Sequence, residues 1–162
     1  KIYKRHTFCN TTIVSINYIY DIRYGENIIS THDNISFPCK SVKKLGDFSD
    51  ILNNNLTDEF ISASIILINE AQFFEDIVEW VKLAVERHKK KVYLCGLDGD
   101  FERNSFGNYL DLIPFSDKIT KLHSICGLCK KNDAIFTKRF GDDKRQELIG
   151  TDEYVPVCRS CY

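Results

Sequence analysis

Short apolar runs punctuate an otherwise polar chain: Ile13 to Ile16, Ile65 to Ile68 and Val92 to Leu97. Runs of this length, bearing Ile and Val, read as strands buried on both faces, the kind found in parallel sheets. Between the second and third, Phe73, Phe74, Ile77, Val78, Val81, Ala84 and Val85 recur at helical spacing. Lys89, Lys90 and Lys91 then close the last turn, where cations suit a helix C-terminus. A strand–helix–strand order predicts parallel pairing, because parallel strands need such a crossover. The stretch Lys40 to Asp58 supplies a further helix and a polar connection, with Asn53-Asn54-Asn55 as its least structured point. Lys1 to Cys9 reads as the tail of a helix. After about residue 115 the pattern changes, and Lys118 to Ile125 alternates like a strand. The fold class is α/β, with a core over residues 1–115 and a small second lobe over 116–162.

Composition narrows the function classes. Of 162 residues, 43% are apolar and 28% charged, ordinary for a globular protein, and 22 basic against 23 acidic side chains leave a net charge of −1. No nucleic acid or membrane partner is expected, since there is no basic excess and no long apolar run. The chain holds no Met and begins at Lys1, so an upstream piece is expected.

Seven cysteines change the picture more. Their odd number and uneven spacing do not resemble a secreted disulfide framework, which points to a reducing, cytoplasmic setting. Cys9, Cys39 and Cys95 are scattered and read as small core hydrophobes. Cys126 and Cys129, then Cys158 and Cys161, form two C-x-x-C pairs separated by 28 residues. Each pair lets two thiolates converge on one ion, and four together make a closed structural zinc site, zinc-ribbon-like in spacing. The alternative is four buried thiols or a redox pair.

Asn69 and Glu70 follow a buried strand at the end where open α/β sheets bind ligands. A carboxylate there can accept a proton from a substrate hydroxyl, as in phosphoryl transfer; the alternative is a helix-start residue. Leu97-Asp98-Gly99-Asp100-Phe101-Glu102-Arg103 follows the next strand. There Phe101 and Phe106 either offer flat faces to a base ring or fill the core.

The segment Asn69-Glu70-Ala71-Gln72-Phe73-Phe74-Glu75-Asp76-Ile77-Val78-Glu79 resembles the D-E-x-Q-F-F-x-D-I-V-E segment of the zinc-containing thymidine kinases. Leu97 to Gly107 is similar to that family's L-D-G-T-F-Q-R-K-P-F-G loop. Asp21-Ile22-Arg23-Tyr24 and Thr31-His32-Asp33 match its D-x-R-Y and T-H-D. Thr137-Lys138-Arg139-Phe140-Gly141, Ile149-Gly150 and Tyr154 also stand in family order. The resemblance implies a P-loop-type nucleotide-binding core with a zinc lobe, and transfer of the ATP γ-phosphate to the thymidine 5′-hydroxyl. It implies Glu70 as catalytic base, and Asp21, Arg23, Asn69 and Gln72 near ATP and magnesium. Phe73, Leu97, Phe101 and Phe106 map around the thymine. Gln146, Glu147, Leu148, Ile149, Gly150 and Tyr154 map to a lasso over the nucleoside, anchored by zinc on Cys126, Cys129, Cys158 and Cys161. A homotetramer is implied as well.

Two departures stand out. The family's G-P-M-F-S-G-K-[ST] phosphate loop has no counterpart in these residues, and its magnesium-associated Asp is Asn69, which keeps the shape but removes a charge. A non-catalytic nucleoside-binding or assembly relative is therefore the alternative reading.

Overall fold

The computed structural model describes residues 2–23, 25–30, 35–141, 145–146 and 154–162. These group by contacts into two compact units, Lys1–Gly96 with Gly107–Asp111, and Leu97–Phe106 with Leu112–Tyr162.

In the first unit, α1 (Ile2–Phe8) leads into β1 (Ile13–Tyr18), followed by β2 (Ile28–Ser30), β3 (Ser36–Pro38) and β4 (Lys40–Val42). Two short helices, α2 (Leu45–Phe48) and α3 (Asp58–Ser62), precede β5 (Ile65–Ile68). Then α4 (Ile77–Glu86) crosses to β6 (Lys91–Leu94). The sheet order is β4-β1-β5-β6, and all three pairings are parallel. Ile13 pairs with Ile65 and Ile16 with Ile68, so β1 and β5 end side by side and deliver Asn17 and Asn69 to the same edge. β2 and β3 form a separate antiparallel pair.

The apolar runs become strands because β-branched side chains pack on both sheet faces. Ile16, Ile66 and Ile68 are essentially inaccessible to solvent. β6 departs from the expectation of a strand buried on both faces. Lys91 is exposed and Val92, Tyr93 and Leu94 are half-buried, because β6 pairs only with β5 among the described residues. It is also shorter than the apolar run, stopping at Leu94.

The predicted helix over Phe73 to Lys91 is shorter at both ends. Ala71–Phe73 form one 3₁₀ turn, and the α-helix begins only at Ile77. Asp76 ends the irregular entry, and its carboxylate accepts the Leu45 and Gly46 amides at 3.1 and 2.9 Å, capping α2. At the other end Lys89 takes a positive φ of 55° and the chain turns into β6. Lys90 instead donates to the carbonyls of Ile61, in the last turn of α3, and Ala63, just after it, at 2.9 and 2.6 Å. The helix buries Ile77, Trp80, Val81 and Ala84. Trp80 meets Phe60 edge-on at 5.7 Å and donates to the Ser49 carbonyl at 2.9 Å.

Lys40 to Asp58 carries a strand and a four-residue helix rather than one longer helix. Asn53-Asn54-Asn55 is a hydrogen-bonded turn, with Asp50 accepting from the Asn53 backbone and side chain and exchanging backbone bonds with Asn55. Asn tolerates the left-handed conformation that Asn54 adopts. Cys39 is buried as expected, whereas Cys9 and Cys95 are exposed, because they lie beyond the ends of α1 and β6.

The second unit is built from two small antiparallel pairs, β7 (Ser124–Ile125) with β8 (Asp133–Ala134), and β9 (Phe136–Arg139) with β10 (Tyr154–Val157). Of the strand expected over Lys118 to Ile125, only Ser124–Ile125 pairs; among the described residues no strand lies in a ladder with the alternation upstream. Its buried cluster is small: Cys126, Ala134, Val157 and Cys158. No helix among the described residues is long and apolar enough to cross a membrane.

Candidate active site and metal centre

The ends of β1 and β5 build one polar network in the first unit. Asn17 is almost fully buried, and its Nδ2 donates to the Asp21 carboxylate at 3.2 Å and the Asp21 carbonyl at 3.3 Å. A carboxylate can only accept, so Asn17 must turn its Oδ1 the other way, where the Asn69 amide donates to it at 3.0 Å. Both amide orientations are thus set by the charge on Asp21. Arg23 Nε donates to Asp21 at 2.5 Å, and its Nη2 reaches Glu70 Oε1. Gln72 Nε2 donates to Glu70 Oε2 at 2.7 Å. Both Glu70 oxygens are therefore held.

The electrostatics follow from that arrangement. Burial pushes the Asp21 carboxyl up, but the Arg23 guanidinium and the Asn17 amide more than offset it and hold it below the ordinary range. Arg23 is raised, first by its bond to Asp21 and then, against burial, by the charge of Glu70. Glu70 itself sits at φ 52°, ψ 44°, a left-handed conformation that costs a non-glycine residue on the order of 1 kcal/mol or more. Such strain persists where the surroundings over-determine it. A cavity of about 170 Å³ lies beside the network, lined by Asp21, Arg23, Ile28, Ile29, Ser30, Asn69 and Glu70.

Phe73 belongs to this unit and stacks on Tyr18, ring centroids 4.8 Å apart. Tyr24, Thr31, His32 and Asp33 lie outside the described residues.

In the second unit, Asp100 accepts the Glu102 and Asn104 amides at 2.9 and 2.8 Å and shapes the loop that carries Phe101. This acidic side chain, 6% exposed, is a turn-former. Gln146 Nε2 also donates to it, at 2.8 Å. Phe101 is half-buried, and one face of its ring is covered by the Arg139 guanidinium, 3.6 Å from the centroid. Arg139 donates in turn to the Tyr154 hydroxyl at 3.2 Å and the Arg145 carbonyl at 2.6 Å. Leu97 is exposed and Phe106 half-buried. Glu147, Leu148, Ile149 and Gly150 lie outside the described residues. Arg139 carried no role in the sequence reading, although it stands inside the T-K-R-F-G motif. A buried arginine on an aromatic ring leaves no spacing signature.

The sulfurs of Cys126, Cys129, Cys158 and Cys161 all lie within 4.8 Å of one another, Cys129 and Cys158 at 3.9 Å. A tetrahedral zinc with bonds of about 2.3 Å separates its sulfurs by about 3.8 Å, so the four thiols fit the ion. Backbone amides, that of Cys129 foremost, bring the Cys126 thiol down to about 6. Hydrogen bonding to Cys158 pushes Cys161 up to about 12. Directly after the last cysteine, Tyr162 donates to the Phe101 carbonyl at 2.7 Å, and Arg103 covers its ring at 4.1 Å. The Phe101 loop is thereby tied to the cysteine cluster.

The chain matches the thymidine kinase family model over residues 1–162. It is 43% identical over 143 residues to a thymidine kinase of Oryza sativa subsp. japonica, which covers 88% of this chain and 51% of that protein. To thymidine kinase a of Arabidopsis thaliana it is 42% identical, over 88% of this chain and 58% of the relative. A thymidine kinase of sheeppox virus (strain KS-1) is 38% identical over all of this chain and 86% of its own length. The chain thus spans about half the length of the plant relatives and most of the viral one. A strand-end Glu-x-Gln held by an Asp-x-Arg loop, a four-cysteine cluster and a match along the whole chain agree: this chain belongs to the thymidine kinase family.

Proposed function

We propose that the protein transfers the γ-phosphoryl group of ATP to the 5′-hydroxyl of thymidine, giving dTMP and ADP, with Glu70 as the proton acceptor. The observation that carries this reading is Glu70, at the end of β5 and beside a cavity it shares with Asp21 and Arg23, in a chain of this family. The thymidine 5′-oxygen attacks the γ-phosphorus while its proton passes to the Glu70 carboxylate. The bond from the γ-phosphorus to the β,γ-bridging oxygen breaks, and ADP leaves. Most of the acceleration then comes from positioning and charge. Arg23, which spans Asp21 and Glu70, turns toward the phosphoryl oxygens and releases one Glu70 oxygen for the proton. Magnesium arrives with ATP as part of the substrate. Asp21 supplies the negative charge on that side, and Asn69 a neutral amide.

Thymine stacks on the face of Phe101 opposite Arg139, with Leu97 and Phe106 as apolar neighbours. Gln146 and Tyr154 contact the nucleoside; Glu147, Leu148, Ile149 and Gly150 lie outside the described residues. Zinc on Cys126, Cys129, Cys158 and Cys161 holds the Phe101 loop through Tyr162 and takes no part in the chemistry. The enzyme works in the cytoplasm as a homotetramer. A thymidine phosphorylation assay on the full-length protein and on its Glu70→Gln variant tests the reading; residues 1–162 alone, with no counterpart of the phosphate loop, are expected to be inactive. Turnover in the first and its loss in the second are expected; a folded, zinc-loaded protein with no turnover favours the non-catalytic relative.

A further inference from the structure

We propose that Gln72 is a positioning residue for Glu70, and that residues 96 and 107 are glycines because Gln72 occupies the space a side chain would need. The proposal rests on Glu70 being the base. In a helix, residues two apart point to different sides. Here Glu70 is left-handed while Ala71–Phe73 make a 3₁₀ turn, and that combination swings the two side chains together until Gln72 Nε2 lies 2.7 Å from Glu70 Oε2. Glu70's backbone conformation and its contact with Gln72 are therefore one feature.

Gln72 is 4% exposed and closely surrounded. A methyl group on Gly96 would lie 2.5 Å from Gln72 Oε1, and one on Gly107 would lie 2.1 Å from the Gln72 carbonyl oxygen. Gly107 also takes a φ of +66°. One glycine thus abuts the amide and the other the backbone, and the Ala71 amide bonds the Cys95 carbonyl at 2.9 Å to fasten the turn beside Gly96. Arg23 is the second holder of Glu70, but its side chain is 36% exposed and it is the group that must leave for phosphate. Gln72 is the holder that stays, keeping Glu70 aimed while Arg23 is away.

The experiment compares Gln72→Met, which keeps length but removes the donor, with Gly96→Ala, which keeps Gln72 but displaces its amide. Both are assayed by thymidine phosphorylation beside Glu70→Gln. The expected result is a fall in kcat of about ten-fold to a hundred-fold for both, as a misaimed catalytic group produces. KM for ATP and for thymidine should stay within about two-fold. A raised KM for ATP with kcat unchanged would make Gln72 a nucleotide ligand and overturn the proposal. So would a lowered melting temperature with kcat at the unsubstituted value, which marks a residue that only packs. Near-normal turnover in Glu70→Gln would instead remove the base reading itself, and a silent Gln72→Met beside an inactive Glu70→Gln would remove only the positioning role.

Discussion

At the scale of single residues, charge decides the site. Replacing Glu70 by Gln removes the proton acceptor while keeping size, so turnover should fall by about 10² to 10⁴ with thymidine affinity largely kept. Equilibrium binding beside steady-state kinetics separates the two. Asp21 makes a pH prediction. Its folded pKa is depressed, so its contribution to stability is present above the unfolded value of about 3.9 and is lost as pH falls through the folded value. Asp21→Asn should therefore flatten the loss of stability below about pH 4, measured by urea titrations across pH. Asn69→Asp is a sharper case. A carboxylate at 69 would face the Asn17 Oδ1 that Asp21 holds in place, and turning Asn17 would break its bond to Asp21. The change should cost roughly 1–3 kcal/mol of stability, the penalty for a buried acceptor left without a donor. A thermal melt that does not move would show that the network rearranges freely.

At the scale of elements, the family segment that begins at Asn69 does more than carry a base. Asp76 is the acceptor for two amides of α2, and Trp80 fastens α4 to Ser49. Asp76→Ala should destabilise the first unit by about 1–3 kcal/mol, since both amides lose their acceptor. Trp80 is the single tryptophan of the chain, so its fluorescence in a denaturant titration reads this directly. The Phe101 loop behaves differently because its ring has a protein partner. Phe101→Ala should weaken thymidine binding by about 1–3 kcal/mol, as loss of a stacking platform does. ATP binding should barely change, and calorimetry with each ligand distinguishes this from a general loss of structure.

For the whole molecule, the two units draw stability from different sources. The first buries Trp80, Phe60, Phe74 and a set of isoleucines, whereas the second has a buried cluster of two cysteines, an alanine and a valine. So small a core needs its metal. One zinc per chain should co-purify, and Cys158→Ser or strong chelation should open the second unit to proteolysis while the Trp80 transition stays nearly in place. A single shared transition would show that the units unfold together. Much of this was legible beforehand: the β-branched runs Ile13–Ile16 and Ile65–Ile68 read as buried parallel strands and are such, and two C-x-x-C pairs bring four thiols together because the ligands are in the spacing itself. Glu70, Asp21 and Arg23 were legible through their motifs. What the linear pattern could not carry was set by contacts between distant residues. Asp76 caps α2 and makes no side-chain cap to its own helix, an edge position leaves β6 half-exposed, and among the described residues no strand pairs with Lys118 to His123. Arg139 on Phe101, Asn17 between Asp21 and Asn69, and Gln72 between two glycines belong to the same class. Periodicity reports which side of an element is apolar; which polar group meets which is decided only when the strand ends are brought to one edge.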